Sequence, residues 1–146
     1  MTCLYVDADA CPVKDEIIKV ALRHKVETVF VSCQGIRLPA NPLLKSQMVP
    51  EAFDAADDWI AERAGDGDVV ITADIPLADR CLKAGASVLG PNGKPFTEDM
   101  IGGALAARAI MADLRAGGEQ VGGPAPFSKQ DRSRFLQALD GALAGR

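Results

Sequence analysis

A chain of 146 residues has room for one domain, since domains run to roughly 100–200 residues, and 48% hydrophobic with 25% charged residues supplies an ordinary core and excludes wholesale disorder. Sixteen basic against twenty acidic side chains leave a net charge of -4, which excludes a protein that coats nucleic acid by bulk electrostatics. The charge is uneven: residues 1–107 hold ten basic and sixteen acidic side chains, residues 108–146 six and four.

The apolar runs are short and broken by charge, so no transmembrane segment is expected. The start, Met1 to Asp7, lacks the basic-then-apolar layout of a signal peptide, and a cytoplasmic protein is expected. Cys3, Cys11, Cys33 and Cys81 are widely spread without a C-x-x-C pair, which suggests neither a zinc framework nor a thioredoxin-type redox motif; they are read as structural thiols.

In chain order, Leu4-Tyr5-Val6 reads as a buried strand ending in Asp7, and Pro12 suits the first position of a helix. Val13, Ile17, Val20, Ala21 and His24 recur at helical spacing, with Lys14, Asp15, Lys19 and Arg23 outside. Thr28 to Ser32 is a second strand. Gln34 to Pro50 carries Gly35, Pro39, Pro42 and Pro50 without periodicity, and reads as a long irregular stretch with a short strand near Met48-Val49. Glu51 to Ala64 is helical, Val69 to Thr72 a strand, Pro76 to Ala84 a helix closed by Gly85, and Ser87-Val88-Leu89 a last strand. Thr97 caps a helix to about Arg115, bent by Gly102-Gly103. Residues 117–126 form a linker, and Ser128 with Asp131 makes a capping-box-like start for a final helix carrying Phe135, Leu136, Leu139 and Leu143. Alternating strands and helices imply an α/β fold: three layers, a largely parallel sheet and right-handed crossovers.

In such a sheet, ligands bind beyond the carboxyl ends of the strands. Asp7 and Asp9 leave the first strand, and Asp74 and Asp79 follow the strand ending at Thr72. On the helix between them, Phe53, Ala56 and Ile60 form the apolar stripe. Asp57 lies closest to its edge, whereas Asp54 and Asp58 point outward. Two carboxylates about 5 Å apart at an effective dielectric of about 20 repel by about 3 kcal/mol, which a hard cation relieves; carboxylate oxygens with waters suit Mg²⁺ or Mn²⁺. The expected metal set is Asp7, Asp9, Asp57, Asp74 and Asp79, and the chemistry is water-mediated attack on a phosphodiester. Lys14 and Arg132 are candidate contacts to substrate phosphate. Each has a plainer reading: Asp9 and Asp74 as helix caps, Lys14 and Arg132 as solvated face. His24, the single histidine, is expected to be packed or hydrogen bonded.

The runs Val6-Asp7-Ala8-Asp9-Ala10-Cys11-Pro12-Val13-Lys14, Phe53-Asp54-Ala55-Ala56-Asp57-Asp58, Val70 to Ala78 (VITADIPLA), and Gly122-Gly123-Pro124 with Asp131-Arg132 and Phe135 resemble the bacterial YaiI/YqxD family over nearly the whole chain. That family is largely uncharacterised and is itself similar to PIN-like domains, the metal-dependent ribonuclease fold. The resemblance implies one PIN-like domain over residues 1–146 with a C-terminal helical extension after the 117–126 linker. It places catalytic acids at Asp7, Asp57 and Asp74, a possible fourth at Asp79, and RNA as the substrate class. Two alternatives stand beside it. One is a haloacid dehalogenase-like phosphatase, with Asp7 as nucleophile and Asp9 as acid/base, in which Cys11 stands where threonine or valine is usual. The other is a non-catalytic PIN-like scaffold binding RNA or protein through Arg108, Arg115, Lys129, Arg132 and Arg134.

Overall fold

A computed structural model describes residues 2–8, 13–33, 36–51, 55–97 and 128–144. In chain order these form β1 (Cys3–Asp7), α1 (Lys14–His24), β2 (Glu27–Ser32), β3 (Leu44–Met48), α2 (Ala55–Arg63), β4 (Val69–Ile71), α3 (Ile75–Lys83), β5 (Ser87–Leu89) and α4 (Lys129–Ala144). The expected Thr97–Arg115 helix and 117–126 linker, with Arg108 and Arg115, fall almost wholly outside the described residues, as do Asp9, Cys11, Pro12, Phe53 and Asp54.

The five described strands form one parallel sheet in the order β3-β2-β1-β4-β5. Side chains alternate across it. Leu4, Val6, Phe30, Val69 and Ile71 face α1 and α4, burying against Ile17, Val20, Phe135, Leu139 and Leu143. Val29, Val31, Val70 and Val88 face α2 and α3, burying against Ile60, Leu77, Ala78 and Cys81, with Tyr5 and Trp59 packed beside them. This is the three-layer α/β arrangement expected, consistent with a PIN-like architecture. The central strands read as continuous apolar runs because both faces are covered.

One element departs from the reading of the sequence. The irregular stretch before Pro50 contains a full strand, β3, in register with β2 from Thr28↔Leu44 to Ser32↔Met48. Its sequence, LKSQM, buries only Leu44 and leaves Met48 61% exposed, so an edge position, not an apolar pattern, accounts for it. The final helix is part of the core: Phe135, Leu139 and Leu143 are buried. Its start is the capping box expected. Ser128 N–H donates to Asp131 Oδ2 (3.1 Å) and Asp131 N–H to Ser128 Oγ (3.1 Å); the first of these is the main influence holding the Asp131 carboxyl below its ordinary value.

Helix α4 is held from the loop after β5 as well. Gly93 has φ +84°, and a Cβ placed there would lie 2.5 Å from Phe135 N and 2.6 Å from Arg134 C. Glycine is therefore required twice over, for the backbone conformation and for the close approach to α4.

Candidate functional site

Chain direction across the sheet reverses at β1. From β1 the chain moves to β2 and β3 on one side, then crosses back to β4 and β5 on the other. The crevice between the carboxyl ends of β1 and β4 is thus the topological switch point, where open parallel sheets place their ligands.

Asp7 ends β1, and Thr72 follows β4. Val6 pairs with Ile71, so the next residues, Asp7 and Thr72, stand side by side. Thr72 Oγ1 donates to Asp7 Oδ2 (2.9 Å), and the same oxygen accepts from Asp74 N–H (3.0 Å). Asp74 is the N-cap of α3: its Oδ1 accepts from Leu77 N–H (2.8 Å), with proline in the first turn. Thr72 is 1% exposed. One buried hydroxyl therefore ties the first-strand carboxylate to the α3 cap. Thr72 was not singled out from sequence; the Thr-x-Asp spacing after an apolar strand is the signal that could have found it.

Asp57 lies half-buried on α2, with Asp58 exposed, as the helical wheel anticipated. Asp58 pairs with Arg80 at 2.8 Å. Its hydrogen bond is the main influence raising the Arg80 guanidinium, and Asp57's charge adds to it. Asp57 also acts on Cys81, whose thiol is pushed up to about 11, chiefly by burial. Asp57 therefore sits on the side of α2 that faces α3.

Two of the remaining expected residues are paired with side chains outside the expected set. Asp79 pairs with Lys83 one turn along α3 (2.8 Å). Arg132 pairs with Glu16 across α4 and α1, and the second oxygen of Glu16 is buried without a partner. Lys14 opens α1, half-buried. His24 is hydrogen bonded to Asp140, as anticipated. Cys3, Cys33 and Cys81 are not in disulfides.

Among the described residues no three His, Cys, Asp or Glu side chains come together as a metal-binding group. The hydrogen bonds above account for much of this, since Asp7 is turned to Thr72 and Asp74 into its own helix. Among the same residues, no helix is long and apolar enough to cross a membrane.

Fold and switch-point geometry define a PIN-like α/β protein, and sequence comparison narrows the class. Residues 5–145 match the family described as "Uncharacterized BCR, YaiI/YqxD family". The chain is 65% identical to a "UPF0178 protein" of Sphingopyxis alaskensis over 141 residues, covering 96% of this chain and 92% of that protein. It is 63% identical to one of Nitrobacter winogradskyi (96% and 89% covered) and 61% identical to "UPF0178 protein bll3966" of Bradyrhizobium diazoefficiens (97% and 85%). The chain belongs to the YaiI/YqxD family. No solved structure matches it.

Proposed function

We propose that this protein is a Mg²⁺- or Mn²⁺-dependent phosphodiesterase acting on RNA, with its centre at the β1/β4 switch point. The observation that supports this reading is the Asp7–Thr72–Asp74 hydrogen-bond chain at the carboxyl ends of two adjacent parallel strands. The donor set fits the metal: Mg²⁺ keeps several waters and needs one or two carboxylates beside substrate phosphate, and Asp7 and Asp74 provide two. Asp57, on the α2 side that faces α3, is the third catalytic carboxylate of this reading, and Asp9 and Asp79 are further ligands in reserve.

When bound, the metal would lower the pKa of a coordinated water and draw charge from the phosphate oxygens. The chain's own residues do the rest. Thr72 fixes the Asp7 carboxylate by donating to Oδ2. Asp74, held by the first turn of α3, brings its carboxylate to the positive end of that helix, where negative charge is favoured. Lys14, at the start of α1, is available to a substrate phosphate, whereas Arg132 must leave Glu16 to reach one.

The test is cleavage of end-labelled single-stranded and structured RNAs with Mg²⁺, Mn²⁺ or EDTA, using wild type, Asp7→Asn, Asp57→Asn and Asp74→Asn. Metal-dependent cleavage lost in the variants supports the reading. RNA binding with no cleavage under any metal would replace it by the non-catalytic module. An aspartyl-phosphate analogue trapped on Asp7 would replace it by the phosphatase.

A further inference from the structure

A second concavity of about 590 Å³ lies over the α2-facing side of β1, β2 and β3, lined by Tyr5, Glu27, Lys45, Gln47 and Trp59 among others. Its volume is that of a small-molecule site. Tyr5 and Trp59 meet edge to face, centroids 6.1 Å apart at 65°, and the Arg63 guanidinium lies 4.0 Å over the Trp59 ring. Resting on the phosphodiesterase reading above, we propose that this cavity is a nucleobase subsite, holding one base of a single-stranded RNA whose backbone passes the Asp7–Asp74 centre.

Position is the first argument. Tyr5 and Asp7 lie on the same side of β1, two residues or about 7 Å apart. A base in the cavity is therefore about one nucleotide's reach from the carboxylates. Charge is the second. Lys45 is paired with Glu27 at 2.6 Å and Arg63 with Glu62 at 3.6 Å, so the cavity carries little net field and does not select for a phosphate. What remains are donors and acceptors beside aromatic surface, the combination that reads a neutral heterocycle in single-stranded RNA. Gln47 supplies both kinds; its Nε2 donates to the Met48 carbonyl (3.0 Å), which orients the amide. Tyr5 supplies a hydroxyl that burial pushes up to about 12, so it is a protonated donor at neutral pH.

The single tryptophan of the chain is the reporter. Metal-free protein is titrated with adenosine, AMP, UMP and ribose 5-phosphate, following Trp59 fluorescence and amide shifts by NMR. The nucleoside and nucleotides should quench Trp59 saturably and shift the Gln47 side-chain amide and the Trp59 indole N–H; ribose 5-phosphate should do neither. Gln47→Ala, on a half-exposed edge-strand position that does not endanger folding, should weaken binding about fivefold, and Asp140→Asn, on the opposite side of the sheet, should leave it unchanged. Ribose 5-phosphate binding as well as AMP, an unaltered Kd in Gln47→Ala, or no saturable response to any nucleoside would each overturn the subsite. Base binding here in a protein that cleaves no RNA supports the subsite and removes the phosphodiesterase reading alone.

Discussion

His24 Nε2 and Asp140 Oδ1 lie 2.7 Å apart across 116 residues of sequence. Glu16 and Arg132, also 116 apart, form a further pair between the same two helices, and Arg23 reaches Asp140 Oδ1 at 3.5 Å. The constant offset means that α1 and α4 run parallel and in register, clamped near both ends by charge while Phe135, Leu139 and Leu143 fill the seam below.

This clamp predicts a pH signature. The Asp140 carboxyl is held below its ordinary value of 3.8, first by the His24 hydrogen bond and then, against some desolvation, by the charges of His24 and Arg23. A depressed carboxyl contributes stability that is complete above its unfolded value and is lost as pH falls through the folded one. Asp140→Asn should therefore lower Tm at neutral pH, with its melting curve converging on that of wild type below about pH 4. Parallel Tm-versus-pH curves down to pH 3 would show that the clamp contributes nothing.

Gly93→Ala should destabilise the fold by about 2 kcal/mol or more, combining a strained positive φ with overpacking against the α4 backbone. Urea unfolding measures it. A loss below about 0.5 kcal/mol, ordinary for surface changes, would mean that the loop after β5 does not press on α4.

Thr72→Val keeps the shape and removes the hydroxyl, leaving Asp7 Oδ2 and Asp74 N–H without the partner they share. The expected cost is about 1–3 kcal/mol, together with a loss of any cleavage activity. Thr72→Ser should restore both, because the shared oxygen returns. Rescue of stability without rescue of activity would confine Thr72 to folding.

Asp74→Asn separates capping from metal binding, since asparagine caps about as well as aspartate. On the proposed reading Mg²⁺ raises the Tm of wild type by mass action, by about 2.7 kcal/mol of stability at a hundred times Kd, and leaves the variant unmoved. Equal Mg²⁺ responses in the two proteins would remove Asp74 from the metal site.

Much of this was legible in the sequence where local chemistry decides it. The VVI of β4 with Asp74 and proline behind it, and the Ser128/Asp131 start of α4, each carry their own signal within four residues. Asp57 was separated from Asp58 by the helical wheel alone. Strand β3 was not legible, because an edge strand with one buried residue has no apolar period. Nor were the pairs Arg132–Glu16 and Asp79–Lys83: the first joins residues 116 apart, and the second is one of several partners a helical aspartate could take. The Tyr5–Trp59 cavity was hidden for a related reason. Its lining comes from β1, β2, β3 and α2, and only the path of the chain brings these together.

The seam between α1 and α4 sets the timing of folding. Leu4 and Val6 leave the ribosome among the first residues and α1 follows them at once, yet the second helix on their side of the sheet spans residues 129–144. Synthesis runs at roughly 5–20 residues per second, so the apolar surface that α4 buries waits several seconds for it after α2 and α3 have been made. A nascent chain halted near residue 97 should accordingly be the species that chaperones hold and proteases cut.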